Sequence, residues 1–209
     1  MARVIRLGVL VSGTGSNLQA ILDAIGKKKL DAQVTIVVSN VPGALALERA
    51  RAAGVPTAVV EHGAYEDRRA FDAALVDALR AHGVEVVVLA GFMRLVTDVL
   101  LRAFPMRVVN VHPALCPAFP GVHAQKQALD YGVRVTGCTV HLVDAGTDTG
   151  PILAQAAVPV EEDDDEESLR LRILAREHEL LPRVLQWIAE GRVTVEPVTD
   201  GRAKVRVRP

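Results

Sequence analysis

Ile5-Arg-Leu-Gly-Val-Leu-Val-Ser-Gly-Thr-Gly-Ser-Asn17 is the stretch that decides the class of this chain. Residues 5–11 are an apolar run of strand length, and the glycine-rich turn after them leads into a helix predicted over 16–24. The same succession recurs downstream. Strands are predicted at 34–38, around 57–60, at 85–90 and at 107–112, with helices at 44–53, 66–82 and 96–103 between them. Within 66–82, Phe71, Ala74, Leu75, Ala78 and Leu79 keep helical spacing. Strand–helix alternation carried to about residue 112 predicts an α/β fold with a doubly wound, mostly parallel sheet.

Beyond that point the pattern changes. Pro113, Pro117 and Pro120 force a loop, followed by a short helix at 124–131 and extended stretches at 135–143 and 152–160. A long helix is predicted over 168–190 with Ser168 as its cap, then a tail over 192–207. The acidic run 161–167 reads either as a metal ligand set or as a solvated loop favouring the next helix N-terminus, with the second preferred. A single domain over 1–209 is expected, with halves at 1–112 and 113–209.

Composition narrows the function. Of 209 residues, 50% are hydrophobic and 3% aromatic, enough for one substantial core under a buried sheet. A net charge of −1 argues against a nucleic-acid partner, which would call for a basic excess. The basic tail 202–209 alternates as a solvated edge strand does. Cys116 and Cys138 lie far apart, without metal-ligand or disulfide-framework spacing. No apolar stretch is long enough to span a bilayer, and no leader precedes the first strand, so a cytoplasmic location with no membrane partner is expected.

Three constellations carry chemistry. In Ser12-Gly-Thr-Gly-Ser-Asn17 the glycines let the backbone approach an anion, and the helix N-terminus supplies free N–H groups. Leu18 stands where a dinucleotide fingerprint needs Gly or Ala, and no Gly-Lys-Ser/Thr follows, so a phosphate monoester fits better than a dinucleotide or nucleoside triphosphate. The first half, 1–112, is thus a candidate phosphate-binding unit; a ligand-free tight turn is the alternative. Gly91-Phe-Met-Arg94 follows a buried strand, at the sheet edge where ligands of open α/β folds bind.

The third is Arg107-Val-Val-Asn-Val-His-Pro113. Alternation places Asn110 and His112 on one face where Pro113 ends the strand. An amide donates to a developing oxyanion, and an imidazole stabilises charge or moves a proton. A polar cap on the strand end is equally compatible. Glycine and aspartate in Asp144-Ala-Gly-Thr-Asp-Thr-Gly-Pro151 are ordinary turn chemistry, and an Asp there is structural more often than not; Asp148 would raise the pKa of His112 and keep it cationic if the loop folds back onto it. Glu177 interrupts the stripe Ile173, Leu180, Val184, Ile188, and an inward carboxylate needs a partner, either an arginine or a ligand hydroxyl or amine.

Together these residues resemble the phosphoribosylglycinamide formyltransferase family, the folate-dependent transformylases of purine synthesis. The likeness runs from about residue 4 to 195. It includes Ser-Gly-Thr-Gly-Ser-Asn-Leu-Gln-Ala at 12–20, Leu-Ala-Gly-Phe-Met-Arg at 89–94, Asn-Val-His-Pro at 110–113, Pro120-Gly121, Asp148-Thr-Gly-Pro151 and Glu177-His178. The resemblance implies a Rossmann-like formyltransferase fold, glycinamide ribonucleotide and 10-formyltetrahydrofolate as small-molecule substrates, no metal, and a monomer or homodimer. It implies that Asn110, His112 and Asp148 are catalytic. Gly13, Thr14, Gly15, Ser16 and Glu177 would contact the ribonucleotide. Arg68, Met93, Arg94, Leu95, Val96, Asp144, Ala145, Gly146 and Thr147 would contact the folate. A deformylase would use the same trio with water as nucleophile.

Overall fold

The computed structural model describes residues 3–196 and 203–208. It divides between Asn110 and Val111 into two compact units.

The first unit builds a sheet from β1 (Ile5–Val11), β2 (Ala32–Ser39), β3 (Thr57–Val59), β4 (Val86–Leu89) and β5 (Val108–His112), the last crossing the division. The order is β3-β2-β1-β4-β5, every pair parallel. Leu7, Val9, Leu10 and Val11 of β1 are sealed from solvent, as are Val37 and Val38 of β2 and Val87 and Val88 of β4. Each such side chain contributes roughly 1.5–3 kcal/mol on burial. Helices α1 (Ser16–Gly26), α2 (Leu45–Ala52), α3 (Arg68–Ala81) and α4 (Asp98–Ala103) make the crossovers. The chain builds β2 and β3 on one side of β1, then returns to lay β4 and β5 on the other. The strand order therefore reverses at β1 and β4, the place beyond whose carboxyl ends open α/β sheets bind their ligands.

Two helices start later than predicted because a side chain further on caps them. Asp67 accepts the Ala70 N–H, so α3 begins at Arg68, and Thr97 accepts the Val99 N–H, so α4 begins at Asp98.

In the second unit β6 (Val135–Leu142) pairs antiparallel with β7 (Ile152–Pro159). Helix α5 (Ala124–Tyr131) follows the proline-rich loop, and the long helix α6 (Glu166–Ala189) packs on β6 and β7. Ser168 is not the cap of α6. Asp165 is: its carboxylate accepts the Ser168 N–H while the Ser168 hydroxyl accepts the Asp165 N–H, a reciprocal capping box that starts the helix two residues earlier. In the acidic run, Asp164 pairs with the Arg172 guanidinium at 2.6 Å, which ties the run to α6. The tail forms a hairpin of β8 (Val193–Glu196) and β9 (Lys204–Val207); Arg202 and Pro209 of the predicted edge strand lie outside the described residues.

The mostly parallel, doubly wound α/β class is the one observed. Among the described residues no helix is long and apolar enough to cross a membrane.

Candidate active site

In the first unit the glycine loop is built to present N–H groups. Gly15 has φ 73°, and a Cβ there would lie 2.6 Å from Ala46 Cβ, so only glycine fits. The carbonyls of Gly13 and Thr14 turn back onto α2, accepting from Ala46 N–H at 3.1 Å and Arg49 Nε at 2.9 Å. A trans peptide points its N–H opposite its C=O, so the N–H groups of Thr14 and Gly15 face away from α2. Helix α1 begins directly afterwards with no side chain capping it. Oriented amides and an uncapped helix N-terminus together make an anion cradle. Gly13 and Thr14 are exposed, Ser16 is half-buried, and a Cβ on Gly13 would meet nothing within 4 Å.

The segment after β4 runs beside this loop. Gly91 O accepts Ser12 N–H at 3.1 Å, and Met93 N–H donates to Ser12 Oγ at 2.8 Å. Phe92 turns inward and stacks on Phe71, centroids 6.4 Å apart. Met93 and Leu95 are left 68% and 57% exposed, adjacent apolar side chains at a strand's carboxyl end. Arg94 and Val96 are half-buried, and Arg68 is exposed at the start of α3. The far end of the segment is clamped by Asp72, whose carboxylate accepts both the backbone N–H and the hydroxyl of Thr97. Burial raises the pKa of Asp72 against these hydrogen bonds and the charge of Arg68. Asp72 was missed in the sequence, although it sits at helical spacing with the buried Leu75, Val76 and Leu79. That is the same signal that singled out Glu177.

In the second unit the Asp148 loop does return to His112. Asp148 Oδ2 lies 3.3 Å from His112 Nδ1 and accepts the Gly121 N–H at 2.8 Å, while its Oδ1 lies 3.5 Å from His141 Nε2. Asp144, by accepting Gly146 N–H and the Thr149 hydroxyl, shapes the exposed turn through Ala145, Gly146 and Thr147. His112 is 4% exposed, and its Nε2 donates to Phe119 O at 2.8 Å. Asn110, half-buried on β5, is in register with Leu89.

The charge expected on His112 needs correction. Burial lowers its pKa, and this outweighs the raising effects of Asp148 and the Phe119 carbonyl. For Asp148 the balance is opposite: burial would raise its pKa, but the His141 and Gly121 hydrogen bonds and the neighbouring imidazoles hold it below the usual carboxylate range. The resting site is therefore a carboxylate beside a ring that resists protonation, although both ring nitrogens face acceptors.

Both shifts are downward, so the unfolded chain binds more protons than the folded one through each titration, and stability rises with pH there. For His112 that stability is complete above about pH 6.5, the unfolded value, and is lost as pH falls through the lower folded value. Urea midpoints measured between about pH 7 and 5 are expected to fall more steeply for wild type than for His112→Asn. Equal slopes would contradict the assignment.

Glu177 is buried on α6. Burial first, and then the charge of Glu177, pushes the Cys138 thiol on β6 up to about 12, which leaves that thiol unreactive. Among the described residues no group of three or more His, Cys, Asp or Glu is arranged to hold a metal ion.

The model of the family described as formyl transferase matches residues 5–185. The trifunctional purine biosynthetic protein adenosine-3 of Drosophila melanogaster is 47% identical over 194 residues, 92% of this chain but 14% of that protein, so the chain spans a small part of that relative's length. The phosphoribosylglycinamide formyltransferase of Bacillus subtilis (strain 168) is 43% identical, covering 88% of this chain and 94% of that one. The crystal structure of glycinamide ribonucleotide transformylase 1 from Symbiobacterium toebii superposes with a TM-score of 0.93 at 53% identity, over 99% of this chain and 95% of that one.

Proposed function

The chain belongs to the formyl transferase family, and from that membership we propose that it transfers the formyl group of 10-formyltetrahydrofolate to the amine of glycinamide ribonucleotide. The observation that carries the reading is the buried His112 with Asp148 3.3 Å away, two residues beyond Asn110 on one strand. The full-length relative from Bacillus subtilis supports the choice of acceptor.

In this reading the acceptor amine attacks the formyl carbon and a tetrahedral oxyanion forms. The Asn110 amide and the His112 ring donate to that oxygen. His112 Nε2 already holds an acceptor at 2.8 Å, the carbonyl of Phe119, so the oxyanion takes the place of that carbonyl as the loop around residue 119 gives way. A developing negative charge beside the ring raises its proton affinity against the burial that lowers it. Asp148, held as a carboxylate, stabilises the imidazolium as it forms. The new C–N bond forms, the bond from carbon to the folate nitrogen breaks, and the proton lost by the amine passes to that nitrogen through the His112–Asp148 pair and water.

The phosphate of the ribonucleotide sits on the amides of residues 13–16, with Glu177 as a further ribonucleotide contact. Arg68, Met93, Arg94, Leu95 and Val96 are folate contacts in this reading, as is the 144–148 loop, which would surround the pterin. The two loop glycines separate binding from folding. Gly13→Val, whose Cβ meets no protein atom within 4 Å, is expected to weaken ribonucleotide binding by about tenfold or more, because its bulk stands where the phosphate approaches the backbone, at nearly unchanged stability. Gly15→Ala, which collides with Ala46, is expected to cost about 2 kcal/mol or more of stability. Calorimetric titration and urea unfolding of both variants check the contrast.

Tetrahydrofolate formation, measured with and without glycinamide ribonucleotide, tests the reading. Acceptor-dependent turnover is expected; equal rates without acceptor would replace the transferase with a hydrolase.

A further inference from the structure

Ser12 joins the two loops of the first unit. It is the residue between the end of β1 and the first loop glycine. Its N–H donates to Gly91 O at 3.1 Å, and its hydroxyl accepts Met93 N–H at 2.8 Å while donating to Asn40 Oδ1 at 2.6 Å. Asn40 is itself buried, and its amide lies 3.4 Å from His62 Nδ1. The Ser12 hydroxyl thus has its donor committed to a buried amide and accepts the backbone N–H that sets where Met93 and Leu95 stand. Because the residue before Gly13 holds the Met93 N–H through one oxygen, a displacement of Gly13 is expected to pass to Met93, and the reverse. The other loop anchors, Ala46 and Arg49 on α2, fix residues 13 and 14 but make no such connection to the 91–96 segment.

We infer that Ser12 is a positioning residue that couples the phosphate loop to the apolar segment at 93–96, so that a phosphomonoester bound on the first tightens a pteridine bound on the second, and the reverse. The inference rests on the proposed function. Reciprocity is a thermodynamic requirement: whatever factor one ligand applies to the other's affinity is returned in full.

The unformylated product tetrahydrofolate lets both ligands bind without reaction. Its affinity is measured by titration calorimetry with and without saturating glycinamide ribonucleotide, for wild type, Ser12→Ala, Ser12→Cys and Ser12→Thr. Wild type is expected to bind tetrahydrofolate about fivefold or more tighter when the ribonucleotide is present. Ser12→Ala is expected to bring that factor below about twofold, with Ser12→Thr, which keeps the hydroxyl, restoring it. Ser12→Cys preserves volume but hydrogen-bonds poorly, and gives the same readout if the alanine variant does not fold. Coupling undiminished in the folded alanine or cysteine variant, or absent from wild type that binds both ligands, overturns the inference alone. Wild type that binds neither ligand overturns the proposed function, and the inference with it.

Discussion

His112→Ala is expected to lower kcat by at least about a hundredfold, the usual loss when one donor to a developing oxyanion is removed. The ring is the best-placed donor in the second unit: it is buried, its Nε2 already donates to a carbonyl, and Asp148 supports its other nitrogen. Michaelis constants for both substrates are expected to change far less, because the ring acts where charge appears in the transition state and contributes little to the ground state. Asp148 keeps its Gly121 and His141 contacts in the variant, so the loop has reason to hold its shape. Steady-state kinetics alongside circular dichroism make the check. Turnover near wild type would remove His112 from the mechanism.

Asp148→Ala is expected to reduce turnover by a similar factor, at least about a hundredfold, for a different reason. Asp148 holds the negative charge that offsets part of the burial penalty on His112, and its removal leaves the ring still harder to protonate. The backbone complicates the alanine variant, because Asp148 has φ 54°, a conformation that alanine adopts with strain. Asp148→Asn is the cleaner comparison, since asparagine tolerates that conformation and removes the charge together with one of the two accepting oxygens. It is expected to fall nearly as far as alanine, with the pH at which activity is half-lost on the acid side moving downward. An asparagine variant with wild-type turnover would show that loop shape, and no charge, is what Asp148 contributes.

The readable parts of this molecule were those set by neighbours in the chain. The β1 run, the glycine turn and α1 lie within two dozen residues, and periodicity with turn chemistry locates them. Helix starts were less readable where several candidate caps crowd together, as at Asp165 and Ser168, where a reciprocal pair of hydrogen bonds decides the outcome. The sequence marked Asn110, His112 and Asp148 as chemically capable, but not the ring's environment. Phe119 O reaches the ring, and Gly121 N–H and His141 reach Asp148 beside it, only because the proline-rich loop and β6 fold back, and no spacing encodes that return. The expected cationic histidine failed on the same ground: a carboxylate partner is visible in a sequence, whereas the depth of burial that outweighs it is not. Ser12 was noted as part of a turn, yet its bond to Met93 spans 81 positions.

The most direct measurement follows the transferred carbon. The chain is mixed with glycinamide ribonucleotide and 10-formyltetrahydrofolate carrying a carbon-13 formyl group, and the products are resolved by mass and carbon-13 resonance. The label is expected in a new formamide on the ribonucleotide, one formyl group for each tetrahydrofolate released. Label recovered as free formate, with the ribonucleotide amine untouched, would contradict it.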